Sequence, residues 1–218
     1  MLAQPLRITP PPAPIALSKL LLMEGDTPMH FFEALLQHLG LHAAVEVRSF
    51  RGLGDFRSYL IRLAATTDFR RVVSVGVVRD AEAKPAVDAR RAVDARRAVT
   101  DAFVAAGLTA ARTPPVKTAV FILPDDANPG MIETLCMEAV RQEPTLADAL
   151  GCVDDFFHCL DTKKVVVPGP PIRAKHHAQA YLATRPEAQL FPGIAAYRGY
   201  WPWGSPAFQP VERFLRNL

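Results

Sequence analysis

The sequence lacks the patterns that mark several common classes of protein. Its three cysteines, Cys136, Cys152 and Cys159, contain no Cys-x-x-Cys pair, which favours a reduced protein over a disulfide framework. No apolar run approaches the ~20 residues that a membrane span requires. A Gly-x-Ser-x-Gly motif, which would indicate a serine hydrolase, is missing. The formal net charge of +3 is too small to indicate nucleic-acid binding by itself.

The amino-terminal residues have neither the basic start nor the apolar stretch of a secretory signal peptide. Together with the odd number of cysteines, this predicts a cytoplasmic protein. Proline is abundant, with 20 residues, and clusters between Pro5 and Pro14, between Pro168 and Pro171, and near the end of the chain. Residues 1–16 are therefore predicted to form a proline-rich arm.

Two short apolar runs each end in acidic residues. Leu20–Met23 is followed by Glu24, and Val72–Val78 is followed by Asp80 and Glu82. Continuous apolar runs of this length, bounded by turns and followed by amphipathic segments, are typical of buried strands in a parallel sheet. We therefore predict strands that place these acids at their carboxyl ends.

The rest of the chain completes an α/β pattern. Further strands are predicted at residues 45–50 and 117–123, and amphipathic helices lie between the strands. After residue 125 the chain is mostly helical. This order predicts an α/β core over residues 17–125, a Rossmann-like parallel sheet with helices on both faces, and a helical part over residues 126–218 packed on that core. Thr27 is predicted to cap the first helix.

The acidic strand ends predict one shared site. Ligands bind outside the carboxyl ends of the strands in parallel α/β sheets, so Glu24, Asp80 and Glu82 are expected around one cleft. Carboxylates are ligands of Mg²⁺ and Mn²⁺, and a metal there can polarise a phosphoryl oxygen and activate a water. The alternative is that such acids cap helices and face water. A third strand end carries Asp125 and Asp126.

An ordered set of motifs resembles a bacterial family related to the topoisomerase–primase (TOPRIM) domain, in the branch found in overcoming-lysogenization-defect (OLD) nucleases. The resemblance covers residues 17–218. The motifs are "LLLMEGDTPMHFFEALLQHLGL", "VVSVGVVRDAEA", "VFILPDDANPGMIETLC", "DDFFHCL", "RAKHHAQAYLA" and "GYWPWGSPAF". The TOPRIM signature is a glutamate after the first strand and an Asp-x-Asp pair after a later strand. The resemblance implies a TOPRIM-like fold.

The resemblance also implies roles for individual residues. Glu24 matches the TOPRIM glutamate and is expected to act as general base or metal ligand. Asp80 and Glu82 match the Asp-x-Asp pair, with glutamate in place of the second aspartate, and are expected to bind metal. Pro28 stands where the OLD branch often carries another acid, and it cannot ligate a metal. Asp26 is a nearby carboxylate that could compensate.

Two more positions follow from the same resemblance. Glu133 lies where the branch places a further metal-binding acid, and Lys175 lies where it has a lysine near the second metal. Lys175 is expected to neutralise charge on a scissile phosphate. The structural alternatives are that Glu133 only favours a helix amino terminus, and that Lys175 belongs to a basic surface with Arg173, His176 and His177.

Three functions are consistent with this pattern. The leading hypothesis is a Mg²⁺- or Mn²⁺-dependent nuclease or phosphotransfer protein that acts on nucleic acid, with Glu24 and Lys175 as catalytic residues. The second is a non-catalytic binding module that keeps the TOPRIM scaffold with a degenerate metal site. The third is a small-molecule phosphohydrolase. No membrane partner is expected, and the sequence leaves the oligomeric state, including a homodimer, open.

Overall fold

A computed structural model of the chain describes residues 13–50, 53–81, 88–109, 111–165 and 169–218. The described residues form one sheet of four parallel strands in the order β2-β1-β3-β4. The strands are β1 (Lys19–Glu24), β2 (Val45–Phe50), β3 (Ser74–Asp80) and β4 (Lys117–Leu123). The predicted α/β class, and the parallel sheet within it, are confirmed.

Eight α-helices occur in the described residues. They are α1 (Asp26–His38), α2 (Leu53–Ala64), α3 (Asp88–Ala105), α4 (Ile132–Arg141), α5 (Pro144–Thr162), α6 (Pro170–Ala183), α7 (Pro192–Tyr197) and α8 (Gln209–Arg216). Two short 3₁₀ helices cover Thr67–Arg71 and Pro206–Phe208. In these ranges no helix has both the length and the apolar character that a membrane span needs.

Helices cover both faces of the sheet because both faces are apolar. Successive side chains of a strand point to opposite faces, and in β1 the side chains of Leu21 and Met23 enter one core while those of Leu20 and Leu22 enter the other. The first core also contains residues of α1 and of α4 to α8, whereas the second contains residues of α2 and α3. Full burial stabilises the fold by about 1.5–3 kcal/mol for each such side chain.

The described end of the proline-rich segment is held against β2. Arg48 donates hydrogen bonds to the carbonyl oxygens of Ala13 (2.8 Å) and Pro14 (2.5 Å). Glu46 accepts a hydrogen bond from the backbone N–H of Ala16 (2.7 Å). Ile15, which lies between Pro14 and Ala16, is buried. Residues 13–16 therefore contact the folded core.

One prediction about local structure was wrong, and one helix was not predicted. The residue at the amino-terminal cap of α1 is Gly25, with φ 83°, so Thr27 lies inside the first turn and not at the cap. A positive φ is readily adopted by glycine, which lets the helix begin two residues early. The sequence also gave no indication of α7, a six-residue helix. Gly40, with φ 70°, follows the carboxyl end of α1, a position that favours glycine.

Candidate functional site

A cleft of about 350 Å³ lies at the carboxyl ends of β1 and β3. These strands are hydrogen-bonded neighbours in the middle of the sheet. The cleft is lined by Met23, Glu24, Thr27, Pro28, Val78, Arg79, Asp80, Leu123, Ile132, Glu133, Lys175, Ala178, Gln179, Leu190, Phe191 and Pro192. Four of the predicted site residues, separated by up to 151 positions in the chain (175 − 24), therefore line one cavity.

Glu24 is the last residue of β1 and is partly buried. The chain turns at Gly25, whose N–H donates a hydrogen bond to the carbonyl oxygen of Phe50 at 3.1 Å. This bond ties the turn to the end of β2 and holds Glu24 at the rim of the sheet. Asp26, the proposed substitute for a missing acid, accepts a hydrogen bond from Ser49 Oγ at 3.0 Å and is not among the lining residues.

Asp80 is the last residue of β3, in register with Leu123 of β4. One of its carboxylate oxygens is buried. The next N–H, that of Ala81, donates hydrogen bonds to the carbonyl oxygens of Leu123 (3.3 Å) and Gly130 (3.0 Å). The end of β3 is thus tied to the loop that leads into α4. Glu82, the other half of the predicted pair, lies outside the described residues.

Glu133 lies in the first turn of α4 and is only 8% exposed. Burial raises the pKa of its carboxyl, and the positive charge of Lys175 opposes that rise. The helix begins after a tight turn at Gly130, which has φ 154° and where a Cβ would lie 3.0 Å from Pro124 and from Thr134. This turn orients the start of α4 toward the cleft. A helix amino terminus also favours a negative charge.

Lys175 lies on α6. Among the basic residues between positions 173 and 177, it is the one that lines the cleft. Arg173 instead forms an ion pair with Asp161 at 2.6 Å. His177 stacks on Phe157 with ring centroids 3.9 Å apart, and burial lowers its pKa. Arg173 and His177 therefore contact α5, whereas Lys175 lines the cleft.

Several lining residues were not anticipated from the sequence. Gln179 follows Lys175 by one helical turn, a spacing that places both on one face of α6 and could have indicated it. Arg79 is buried in the strand that ends in Asp80, and a charged residue in an apolar strand was an available signal. Leu190 and Phe191 precede the unpredicted α7, and no pattern in the sequence pointed to them.

The third acidic strand end does not contribute to the cleft. Asp125 accepts hydrogen bonds from the backbone N–H groups of Ala127 (3.1 Å) and Asn128 (2.8 Å). Asp126, with φ 73°, accepts a hydrogen bond from the backbone N–H of Ile122 (2.9 Å) and pairs with Arg96. These carboxylates stabilise the turn after β4, and neither lines the cleft.

The donor set of the cleft suits a hard cation. Glu24, Asp80 and Glu133 offer carboxylate oxygens, the ligands that Mg²⁺ and Mn²⁺ take in proteins, and Mg²⁺ is often held by one or two carboxylates together with water. Among the residues that the structure describes, no group of three or more His, Cys, Asp or Glu side chains could hold a metal ion. A metal here would therefore be held by at most two of the described carboxylates together with water.

The comparisons with known proteins identify a family. No match was found among curated proteins or among solved structures. One family matches residues 18–218, a range that includes every residue lining the cleft. The chain belongs to this family, which is described as a protein of unknown function (DUF3226).

Proposed function

We propose that the chain is a divalent-metal-dependent nuclease or phosphotransfer protein that acts on nucleic acid at the acidic cleft. The observation that supports this proposal is the convergence of Glu24, Asp80, Glu133 and Lys175, from β1, β3, α4 and α6, on one cavity. If these acids only capped helices and faced water, a lysine from a helix far along the chain would not be expected in the same cavity. A relationship to the TOPRIM domain of OLD nucleases is part of the proposal.

Mg²⁺ or Mn²⁺ would be held by Asp80 with Glu24 or Glu133. Glu82 remains a proposed ligand by its place two residues after Asp80 in the sequence. When bound, the metal would supply Lewis acidity toward a phosphoryl oxygen and would lower the pKa of a bound water.

The protein groups have separate roles in this proposal. Glu24, the last residue of the central strand β1, would take a proton from an attacking water or ligate the metal. Lys175 is exposed at the cleft and would neutralise charge that develops on the phosphate. Glu133 must lose its proton to bind metal, and its burial opposes this.

The test is cleavage of plasmid, single-stranded DNA and RNA with Mn²⁺ or Mg²⁺, for the wild type and for Glu24→Gln and Asp80→Asn. We expect metal-dependent cleavage that falls at least about a hundredfold in both variants. Glu138→Gln is the matched control, because Glu138 is exposed on α4 and does not line the cleft. A wild type that cleaves none of these substrates, or variants as active as the wild type, would contradict the proposal that the protein is a nuclease.

A specific observation favours a second candidate, a non-catalytic binding module. Pro28 lines the cleft at the position where the OLD branch often carries an acid, so one ligand of a two-metal site is replaced by a residue that cannot ligate. Calorimetric titration with Mg²⁺ and Mn²⁺ separates the candidates. Tight metal binding that Asp80→Asn abolishes favours the enzyme, and no measurable binding favours the module.

A further inference from the structure

The cleft is lined by two chemically different groups of residues. We call the three carboxylates and Lys175 the charged wall, and Leu190, Phe191 and Pro192, three successive apolar residues at the start of α7, the apolar wall. Leu190 is 62% exposed and Phe191 is 53% exposed. A ligand that reaches the charged groups therefore meets exposed apolar side chains in the same cavity.

The apolar surface continues from the cleft along α7. Ile194 and Tyr197 follow Phe191 at intervals of three residues, which places them on one side of the helix, and they are 38% and 49% exposed. We call Leu190, Phe191, Ile194 and Tyr197 the apolar rim. Exposed apolar groups gathered beside a polar cavity are typical of a ligand-binding surface.

The backbone that carries the apolar rim is held in place. Trp201, which is buried, donates a hydrogen bond from Nε1 to the carbonyl oxygen of Pro192 at 2.9 Å. The Tyr197 hydroxyl donates to Glu33 Oε2 at 2.5 Å, and this bond adds to burial in raising the pKa of Tyr197 to about 12. A surface fixed in this way loses little conformational entropy when it binds a ligand.

We infer that the apolar rim stacks an unpaired base of single-stranded nucleic acid, while the neighbouring phosphate lies at the charged wall. This inference rests on the proposed function and narrows its substrate to unpaired strands. A nucleotide joins a planar base, whose faces are apolar, through a sugar to a phosphate, and these two ends match the two walls. Bases stack on aromatic side chains without regard to sequence, but the faces of bases inside a duplex are already covered by their neighbours.

The test is the affinity for a fluorescein-labelled 20-nucleotide DNA strand, for its duplex, and for the same strand with a central run of abasic sites. Ca²⁺, which also takes oxygen ligands, replaces Mn²⁺, and intact DNA is verified on a gel. We expect tighter binding of the single strand than of the duplex. Phe191→Ala and the abasic run should each weaken binding of the single strand about tenfold, and their combination should weaken it little further.

Phe156→Ala is the matched control, because Phe156 is 54% exposed on α5 and does not line the cleft. It should leave the affinity unchanged, and Phe191→Trp should retain it. Circular dichroism checks that each variant is folded. Equal binding of duplex and single strand, unchanged binding by Phe191→Ala, or no binding of any of these DNAs overturns the inference.

The inference and the proposed function fail in different ways. Absence of cleavage, with strand binding that depends on Phe191, removes the nuclease and keeps the base-stacking surface. Cleavage that depends on Glu24, with affinity that does not depend on Phe191, keeps the nuclease and removes the surface.

Discussion

Gly193 packs against the backbone carbonyl oxygen of Thr27 so closely that a Cβ at residue 193 would lie 2.5 Å from that oxygen. The same Cβ would lie 2.9 Å from the Cβ of His30. Thr27 is in the first turn of α1, three residues after Glu24, and Gly193 is in α7, two residues after Phe191. This contact therefore joins the segment after Glu24, in the charged wall of the cleft, to the helix that follows the apolar wall.

Gly193→Ala is expected to separate the two walls. The obstacle is backbone, which cannot move aside like a flexible side chain, so α7 must shift, at a cost of about 1–3 kcal/mol. Chemical denaturation measures that loss. We also expect weaker binding of single-stranded DNA in the folded variant, because Phe191 moves with α7.

Gly204→Ala is the control for that substitution. A Cβ at residue 204 would meet nothing within 4 Å, and the expected change in the free energy of unfolding is within about 0.5 kcal/mol. If Gly193→Ala proves as stable as Gly204→Ala and binds DNA like the wild type, the contact between α1 and α7 does not hold the cleft together.

Glu133→Gln is expected to stabilise the protein and to weaken its metal binding. Burial raises the pKa of Glu133 in the folded state. As the pH rises, the unfolded chain releases this proton first, so the wild type loses stability between the unfolded and the folded pKa. Gln has no such loss. Above the folded pKa the variant should gain about 1.4 kcal/mol for each pKa unit of the shift.

Thermal unfolding at several pH values measures this effect. The wild type and Glu133→Gln should melt alike at pH 3, and the variant should melt higher at pH 7. Glu138→Gln, on the exposed side of the same helix, should show no such divergence. A variant that melts lower than the wild type at pH 7 would mean that the charged carboxylate is a net stabilising group.

The convergence of acids could be predicted because it depends on strands alone. Continuous apolar runs gave β1 and β3, and the carboxyl ends of adjacent parallel strands must share an edge, which places Glu24 near Asp80. Glu133 and Lys175 came from the resemblance, since nothing local indicates where a helix from the second half of the chain will pack.

The apolar wall could not be predicted because its helix depends on tertiary contacts. An isolated segment as short as α7 does not form a stable helix in water, since nucleation costs more than a few hydrogen bonds return. Its position is set by Gly193 against α1 and by Trp201 against Pro192. The prediction of Thr27 as the cap failed for a related reason. Caps are predicted from the preference for Ser, Thr and Asp, whereas here the turn after β1 requires a positive φ at Gly25, and that glycine takes the cap position.

Two further glycines should respond to alanine in opposite directions. A Cβ at Gly76, in β3, would lie 2.5 Å from Leu218 Cδ1 and 3.1 Å from the Phe214 ring, and Leu218 is buried. Because the Leu218 side chain is flexible but buried, Gly76→Ala should destabilise the fold by about 1 kcal/mol, less than a clash with backbone would. Gly151 is exposed inside α5 with nothing within 4 Å of its Cβ, and Gly151→Ala should stabilise by up to about 1 kcal/mol.

Urea denaturation of both variants measures these differences. An unchanged midpoint for Gly76→Ala would show that Leu218 and Phe214 can move away without loss of packing. A lower midpoint for Gly151→Ala would show that the exposed face of α5 has a contact for which this glycine is required.

Lys175→Gln is expected to slow the proposed reaction and to move its dependence on pH. Loss of a cation that stabilises charge on the phosphate should lower kcat about 10²-fold or more. The charge of Lys175 also opposes the rise in the pKa of Glu133, so its removal should raise that pKa further. Because metal needs the deprotonated carboxylate, the acidic limb of the pH–rate profile should shift to higher pH.

The shift in the acidic limb distinguishes this role from a purely structural one, since a variant that is only less stable would lose activity at every pH. Lys175→Arg should retain the position of the limb because it keeps the charge. Lys163→Gln, which removes an exposed lysine at the end of α5 away from the cleft, should change neither kcat nor the limb. If the limb stays in place in Lys175→Gln while kcat falls, Lys175 acts on the phosphate alone and does not tune the ionisation of Glu133.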